Sequence, residues 1–437
     1  MSVPLPTTGS FVLAGVRLPR SLVDAPHLAS ASASDFIAAD LHVVSGRIIA
    51  IAPRDAPRPE GLPVAHLRDG LVLPRFVDIH THLDKGHIWT RSPNPDGTFL
   101  GARTAVAADR EANWSREDVA RRMDFALRCA FAHGTQAIRT HIDSIGKQAG
   151  ISWPVFAEVR QTWKGRVALQ AAALFPVEWS IDDEPQFRAI VATVAKHGGI
   201  IGGLTFMGEP PTEKLDRALD RVMQAAAANG LDLDFHVDES DSPHAHTLER
   251  IADAAIRAKF GGRIVAGHCC SLALQGEADR ARVIAKLGEA GIAVVSLPMC
   301  NMYLQDRTLG RTPRWRGVAP VHELDAAGIP VLVASDNTRD PFFAYGDLDM
   351  LEVYREATRI LQLDHTAKPW PRLLSAAPAE VMGLDHGGMI RQGASADLVL
   401  TSARTWNELN ARPQADRAVL VAGKPIDRTL PDYRELN

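Results

Sequence analysis

Cysteine is scarce. Four occur in 437 residues, Cys129, Cys269, Cys270 and Cys300. That is too few for a disulfide framework in a chain of this length. No Cys-x-x-Cys pair exists either, which argues against a thiolate zinc site. Also missing is any run near the roughly 20 apolar residues that span a bilayer. Met1–Leu22 is broken by prolines and glycines and lacks the basic start and apolar stretch of a signal peptide. The expectation is a cytoplasmic, reducing location with no membrane partner. Charge of one sign is missing too: 48 Lys and Arg against 52 Asp and Glu leave a net −4. No basic field draws the chain to nucleic acid. There is no Gly-x-x-x-x-Gly-Lys-Ser/Thr phosphate loop and no placed Gly-x-Gly-x-x-Gly dinucleotide fingerprint.

What is present is an ordinary globular balance, 46% apolar and 23% charged, enough to bury a site. The first 70 or so residues read as short strands: Phe11–Leu18, then Leu41–Ile51 broken at Ser45-Gly46, where a hairpin turn fits. From about Leu71 short apolar runs alternate with amphipathic segments. The runs are Leu71–Ile79, Thr135–Ile142, Arg166–Phe175, Ile200–Phe206, Leu231–Val237, Arg263–Gly267, Ile292–Leu297 and Ile329–Ser335. After the first interval they recur at about the length of one βα unit.

The intervening segments carry helix signals. Ser115-Arg116-Glu117-Asp118 has the form of a capping box with Asp118 in the acidic place. Val119, Met123, Ala126, Leu127 and Ala130 follow at helical spacing, and His133-Gly134 supplies a stop. Eight such alternations predict an α/β fold, a (β/α)₈ TIM barrel over 71–384, with a doubly wound open sheet as the competitor. After about Leu384 strands return at Ala396–Thr401 and Arg417–Val421. The expectation is a small composite β-sandwich domain built from 1–70 and 385–437.

The chemistry gathers at predicted strand ends. His80 and His82 stand two apart where the first strand ends, so both point to one face. With 16 histidines a His-x-His pair is a weak signal, and His244-Ala245-His246 is a second one. Its position strengthens it, because barrels of this kind carry their functional groups at the C-terminal strand ends. Strand five ends in His236-Val237-Asp238-Glu239, strand six in Gly267-His268 and strand eight in Ser335-Asp336-Asn337. From His236 to His268 is 32 residues, one βα unit, and from His268 to Asp336 is 68, two units. Strand seven, ending Ser296-Leu297-Pro298, carries no obvious ligand. Histidine and aspartate without thiolate suit one divalent metal ion, Zn²⁺ or Fe²⁺. Such an ion lowers the pKa of a bound water from about 15.7 toward about 7. Glu239, three residues past His236, can carry a proton from that water to a leaving nitrogen. Asp336 can accept a hydrogen bond from the water, and His268 can orient it. Strand four has no lysine to bridge a second metal, which favours a mononuclear site. The His-x-Glu with Pro-Cys-x-x-Cys pattern of a different zinc deaminase class is absent.

The sequence resembles the cytosine deaminase branch of the amidohydrolase superfamily over most of its length. The resemblance runs through His80-Thr81-His82-Leu83-Asp84, Arg139-Thr140-His141-Ile142-Asp143, His236-Val237-Asp238-Glu239 and Gly267-His268. It continues in Asn301-Met302-Tyr303-Leu304-Gln305, Arg314-Trp315-Arg316-Gly317-Val318, Ser335-Asp336-Asn337 with Asp340-Pro341, and Gly393–Leu400. It implies His80, His82, His236 and Asp336 as metal ligands, Glu239 as proton shuttle and His268 as the residue bonding the activated water. It further implies hydrolytic loss of an exocyclic amine from a small heterocyclic substrate. Phe342 resembles the aromatic that stacks on the substrate ring, with an ordinary core phenylalanine as the alternative. Asn337 and Phe206 fall where substrate contacts are expected.

One departure stands out. Where cytosine deaminases resemble Phe-Pro-Gln after strand three, this chain reads Phe175-Pro176-Val177. Valine cannot read a polar pyrimidine edge, and an unpaired buried edge costs affinity. Cytosine is therefore expected to be a poor substrate of an otherwise cytosine-like deaminase. Hydrolysis of a cyclic amide or an N-alkylamino-triazine ring is the enzymatic alternative, and a silent binding protein on the same scaffold the non-enzymatic one. Association into a homo-oligomer is left open. Lys85 and His87, beside the histidine pair, read equally as site residues or as parts of a solvated loop.

Overall fold

The computed structural model describes residues 5–28, 34–205, 210–366, 368–385 and 387–436. Among them eight strands run through the centre of the chain: β1 (Phe76–Thr81), β2 (Thr135–Asp143), β3 (Ala168–Leu174), β4 (Ile201–Leu204), β5 (Leu233–Val237), β6 (Ile264–His268), β7 (Ile292–Ser296) and β8 (Val331–Val333). Each pairs in parallel with the next, β1 to β3 as one ladder and β4 to β8 as another. Parallel bridges Ala172–Ile200 and Pro176–Leu204 join the ladders on one side, and Thr81–Asp336 closes them on the other. The sheet is thus a closed barrel. Its strands read as near-continuous apolar runs because side chains fill the inside and helices cover the outside.

The helix Arg116–His133 shows how the ring is punctuated. Ser115 Oγ accepts the Asp118 N–H at 3.2 Å, and Gly134 ends the helix at φ 106. Val119, Met123, Ala126, Leu127 and Ala130 are buried. Only half of the expected capping box forms. The Asp118 carboxylate is taken by Arg91 and Arg122 instead, with contacts of 2.6 to 2.9 Å, because two guanidinium groups outbid one backbone N–H.

The chain ends build two further four-stranded sheets. One orders Arg47–Ala52, Phe36–Val44, Phe11–Pro19 and Val64–His66 side by side. Its hairpin turns at Ser45 and Gly46, both with φ above zero, as a tight two-residue turn requires. The other orders Lys424–Pro425, Ala418–Val421, Leu398–Leu400 and Val72–Pro74. Leu13, Leu41 and Val43 from one terminus share a core with Leu398, Leu400 and Leu420 from the other. The expected single strand Leu71–Ile79 is therefore two strands in two sheets. Val72–Pro74 pairs antiparallel with Leu398–Leu400, and beyond Arg75 the chain enters the barrel as β1. Both halves are buried, so hydropathy shows no break. At the break the Arg75 guanidinium donates to the carbonyls of Thr135 and Arg166 at 2.6 and 3.2 Å. No helix among the described residues is long and apolar enough to cross a membrane.

Candidate metal centre

The C-terminal ends of β1, β5, β6 and β8 converge on one buried point. His82 Nε2 lies 3.2 Å from Asp336 Oδ1 and 3.2 Å from His236 Nε2, and His80 Nε2 lies 3.5 Å from Asp336 Oδ1. The His80 and His236 rings are 4.6 Å apart. His268 stands close by, 5.4 Å from the His80 ring and 5.0 Å from the His236 ring. All five side chains are buried. Close approach is built in: a Cβ on Gly267 would lie 2.9 Å from His80 Cε1. To turn these groups inward the backbone leaves the sheet sharply. His268 (φ 69), Asp336 (φ 63) and Asp238 (φ 46) all adopt the left-handed conformation that favours glycine.

Burial first, then the proximity of the other histidines and, for His80 and His82, of Lys85, hold His80, His82 and His236 well below the usual imidazole range, so their lone pairs are free. Burial also pushes the Asp336 carboxyl up to about 7. Both nitrogens of His80, Nδ1 of His82 and of His236, and both oxygens of Asp336 find no hydrogen-bond partner among the described residues. Unpaired buried acceptors are costly. A set of neutral imidazoles and one carboxylate turned on one point fits a divalent cation. Two overlapping groups meet that geometry, His80 with His82 and Asp336, and His80 with His236 and His268.

A third group, His80 with His141 and Asp234, lies deeper in the barrel. There Asp234 already has its cation: Arg139 Nη1 sits 2.8 Å from Asp234 Oδ2, and Arg139 also holds Gln170 Oε1 at 3.1 and 2.9 Å. Strand β4, Ile-Gly-Gly-Leu, brings no side chain that could bridge a second ion.

Acid–base groups flank the cluster. Glu239 Oε1 lies 3.4 Å from His268 Nδ1. Burial first, and then the charge of Asp336, hold the Glu239 carboxyl well above the usual range. Lys85 and His87 are buried, so the solvated-loop alternative does not hold. Lys85 Nζ lies 3.3 Å from Asp143 Oδ1 and 5.2 Å from the centre of the Phe342 ring. Arg110 takes the other Asp143 oxygen at 2.8 Å.

The residues expected to touch substrate divide. Phe342 is half-buried near the centre, with the edge of Phe99 against it at 5.3 Å. The Asn337 amide donates to Asp340 at 2.7 Å. Val177 is fully buried in the main core, its Cγ1 over Gly203 so closely that a Cβ there would lie 2.5 Å away. Phe206 lies outside the described residues. Sequence reasoning gave no role to His141, Asp143 or Asn301. Arg139, His141 and Asp143 alternate along the end of β2, a period-two signal that could have marked the first two. Asn301 sits on the helix Pro298–Leu304 after β7 rather than at a strand end.

Residues 182–427 match the profile of the amidohydrolase family. The chain is 52% identical over 432 residues to the pterin deaminase of Rhizobium rhizogenes, covering 99% of this chain and 97% of that one. It is 25% identical to the N-isopropylammelide isopropyl amidohydrolase of Pseudomonas sp., over 83% of this chain and 87% of that protein. Its fold matches the 5-methylcytosine deaminase of Klebsiella pneumoniae with a TM-score of 0.80 and 24% identity, covering 95% and 98% of the two chains.

Proposed function

The chain belongs to the amidohydrolase family, and we propose that the substrate of this member is a pterin or a close fused-ring relative. The enzyme is a hydrolytic deaminase of an aminated nitrogen heterocycle, acting on the carbon–nitrogen bond of a cyclic amidine. The observation that carries our reading of the site is the convergence of His80, His82, His236 and Asp336 beside Glu239. Those four residues would hold one ion, Zn²⁺ or Fe²⁺, which when bound supplies the Lewis acidity that makes water ionisable near neutral pH.

The remaining work falls to the chain. Glu239 takes a proton from the attacking water and returns it to the departing nitrogen, a task suited to a carboxyl with a raised pKa. Asp336 accepts a hydrogen bond from the water, and His268 orients it. Oxygen bonds to the ring carbon, the exocyclic carbon–nitrogen bond breaks, and ammonia leaves. Phe342 offers a face to the ring, and Asn337 with its partner Asp340 fixes the wall beside it. A core valine at position 177 supports a substrate other than cytosine.

Two broader readings accompany this one. Residues 1–70 and 385–437 are read as one composite β-sandwich domain, supported by the core they share. A reducing, cytoplasmic setting is supported by four buried free cysteines. The identity to the isopropylammelide enzyme favours a second reading, removal of an alkylamine from a triazine ring.

The test is an amine-release assay on protein of measured metal content, run with pterins, cytosine and N-alkylamino-triazines. Ammonia from pterins, with cytosine far slower, is expected, and Glu239→Gln should lower kcat by about 10²-fold to 10⁴-fold. Faster turnover of cytosine or of a triazine rejects the pterin assignment. An unchanged Glu239→Gln rejects the role of Glu239.

A further inference from the structure

Strand β7 ends without a histidine or carboxylate, yet the helix it feeds, Pro298–Leu304, places Asn301 between the two groups that handle protons. Asn301 is completely buried. Its Nδ2 lies 3.1 Å from Glu239 Oε1 and 3.0 Å from His268 Nδ1. The helix end is tied to the same segment again by Gln305, whose Nε2 donates to the Glu239 carbonyl at 3.2 Å. Gly317 closes over this end at φ 72. A Cβ there would lie 2.3 Å from Gln305 Cβ and 3.2 Å from the Asn301 carbonyl oxygen. The backbone of the helix end that carries Asn301 is therefore held closely by its neighbours.

We propose that Asn301 is a positioning residue that fixes both the aim of Glu239 and the tautomer of His268. The proposal rests on the reading of Glu239 as the proton carrier. In the state that takes a proton from water, Glu239 is a carboxylate and only accepts hydrogen bonds, so the end of the amide that faces it is the NH₂. The same NH₂ faces His268 Nδ1, which must then be the bare nitrogen. The single proton of the neutral ring is left on Nε2. Nε2 has no hydrogen-bond partner among the described residues. His268 thus serves as a hydrogen-bond donor, although it lies close enough to His80 and His236 to act as a ligand. An inverted amide would do the opposite, accepting a hydrogen bond from Nδ1–H and leaving a bare Nε2 able to bind metal. One buried amide decides which of the clustered histidines are ligands and which is a donor.

Ring-¹⁵N NMR of the zinc-loaded enzyme, with His268 assigned by difference against His268→Asn, reads the tautomer without altering Asn301. A protonated Nε2 and bare Nδ1 are expected, and a protonated Nδ1 overturns the proposal. Asn301→Asp replaces the donor with an acceptor. It should move the His268 proton to Nδ1 and lower kcat about 100-fold or more, with KM changed by less than about threefold and zinc content unchanged. Asn301→Ala should also lower kcat, but should have no further effect when added to Glu239→Gln. Wild-type kcat in Asn301→Ala beside an inactive Glu239→Gln refutes the positioning role and leaves Glu239 standing. An active Glu239→Gln refutes the reading beneath it. Loss of zinc in parallel with kcat, with the tautomer unmoved, also refutes it and leaves Asn301 a merely structural part.

Discussion

Replacing Arg139 with leucine removes the cation that pairs with Asp234, deep in the barrel, and the damage should depend on pH in a calculable way. Asp234 is fully buried, and even with Arg139 at 2.8 Å burial pushes its carboxyl from 3.8 up to about 6. A raised carboxyl contributes stability fully at low pH and loses it as pH rises through the folded value. Each pH unit of displacement is worth about 1.4 kcal/mol. At pH 8 the wild type therefore carries an ionised Asp234 at a cost of about 3 kcal/mol. Without Arg139 the carboxyl would stay protonated, and holding a proton some four units above its ordinary pKa costs about 6 kcal/mol. The electrostatic loss at pH 8 is the difference, about 3 kcal/mol, and an unpaired Gln170 Oε1 adds about 1–2 kcal/mol. At pH 5 Asp234 is protonated with or without Arg139, so only the Gln170 loss remains, about 1–2 kcal/mol. Denaturant unfolding of metal-free protein, each variant against wild type at the same pH, measures both figures. An equal penalty at pH 5 and pH 8 would refute the reasoning, as would an Arg139→Leu/Asp234→Leu double variant no better at pH 8 than Arg139→Leu alone.

Two further outcomes are expected. Asp336 must shed a proton to hold a cation, and its carboxyl sits at about 7 in the metal-free protein while His80, His82 and His236 stay neutral far lower. Metal affinity, measured by chelator competition, should therefore fall about tenfold per pH unit from pH 7 down to pH 5, and a flat profile contradicts the assignment of Asp336. Gly267→Ala pushes a methyl against the His80 ring; it should lower metal affinity about 10-fold to 100-fold, whereas full metal occupancy at limiting zinc would show that His80 is not held as described.

The barrel was legible because its signals are local and repeated. Short apolar runs, helix caps and the recurrence of one βα length all lie in the sequence, and seven of the eight expected runs coincide with one barrel strand each to within a residue or two at the ends. The eighth, Leu71–Ile79, failed because two buried strands in different sheets share one hydropathy signature. The convergence of His80, His82, His236 and Asp336 was legible because barrels put chemistry at strand ends, where residue type can be read by position. Asn301 was not, because a helix after β7 presents it, and nothing in one sequence says which side of a short helix faces the site. Val177 shows a different limit. Its type was read as a missing polar reader, whereas the packing shows a core residue fully enclosed over Gly203.

The left-handed residues at the strand ends bear on how such an enzyme can be altered. His268 and Asp336 hold a backbone shape that glycine adopts freely, and each non-glycine residue there costs on the order of 1–3 kcal/mol. Selection for heat resistance alone would favour glycine at both positions, and each step that hardens the protein would delete a group to which the proposed reaction assigns a role. Any directed-evolution campaign on this scaffold must therefore score turnover at every round. The same pull offers a diagnostic among natural copies: glycine at these two places would mark a barrel that has abandoned hydrolysis and kept only its architecture.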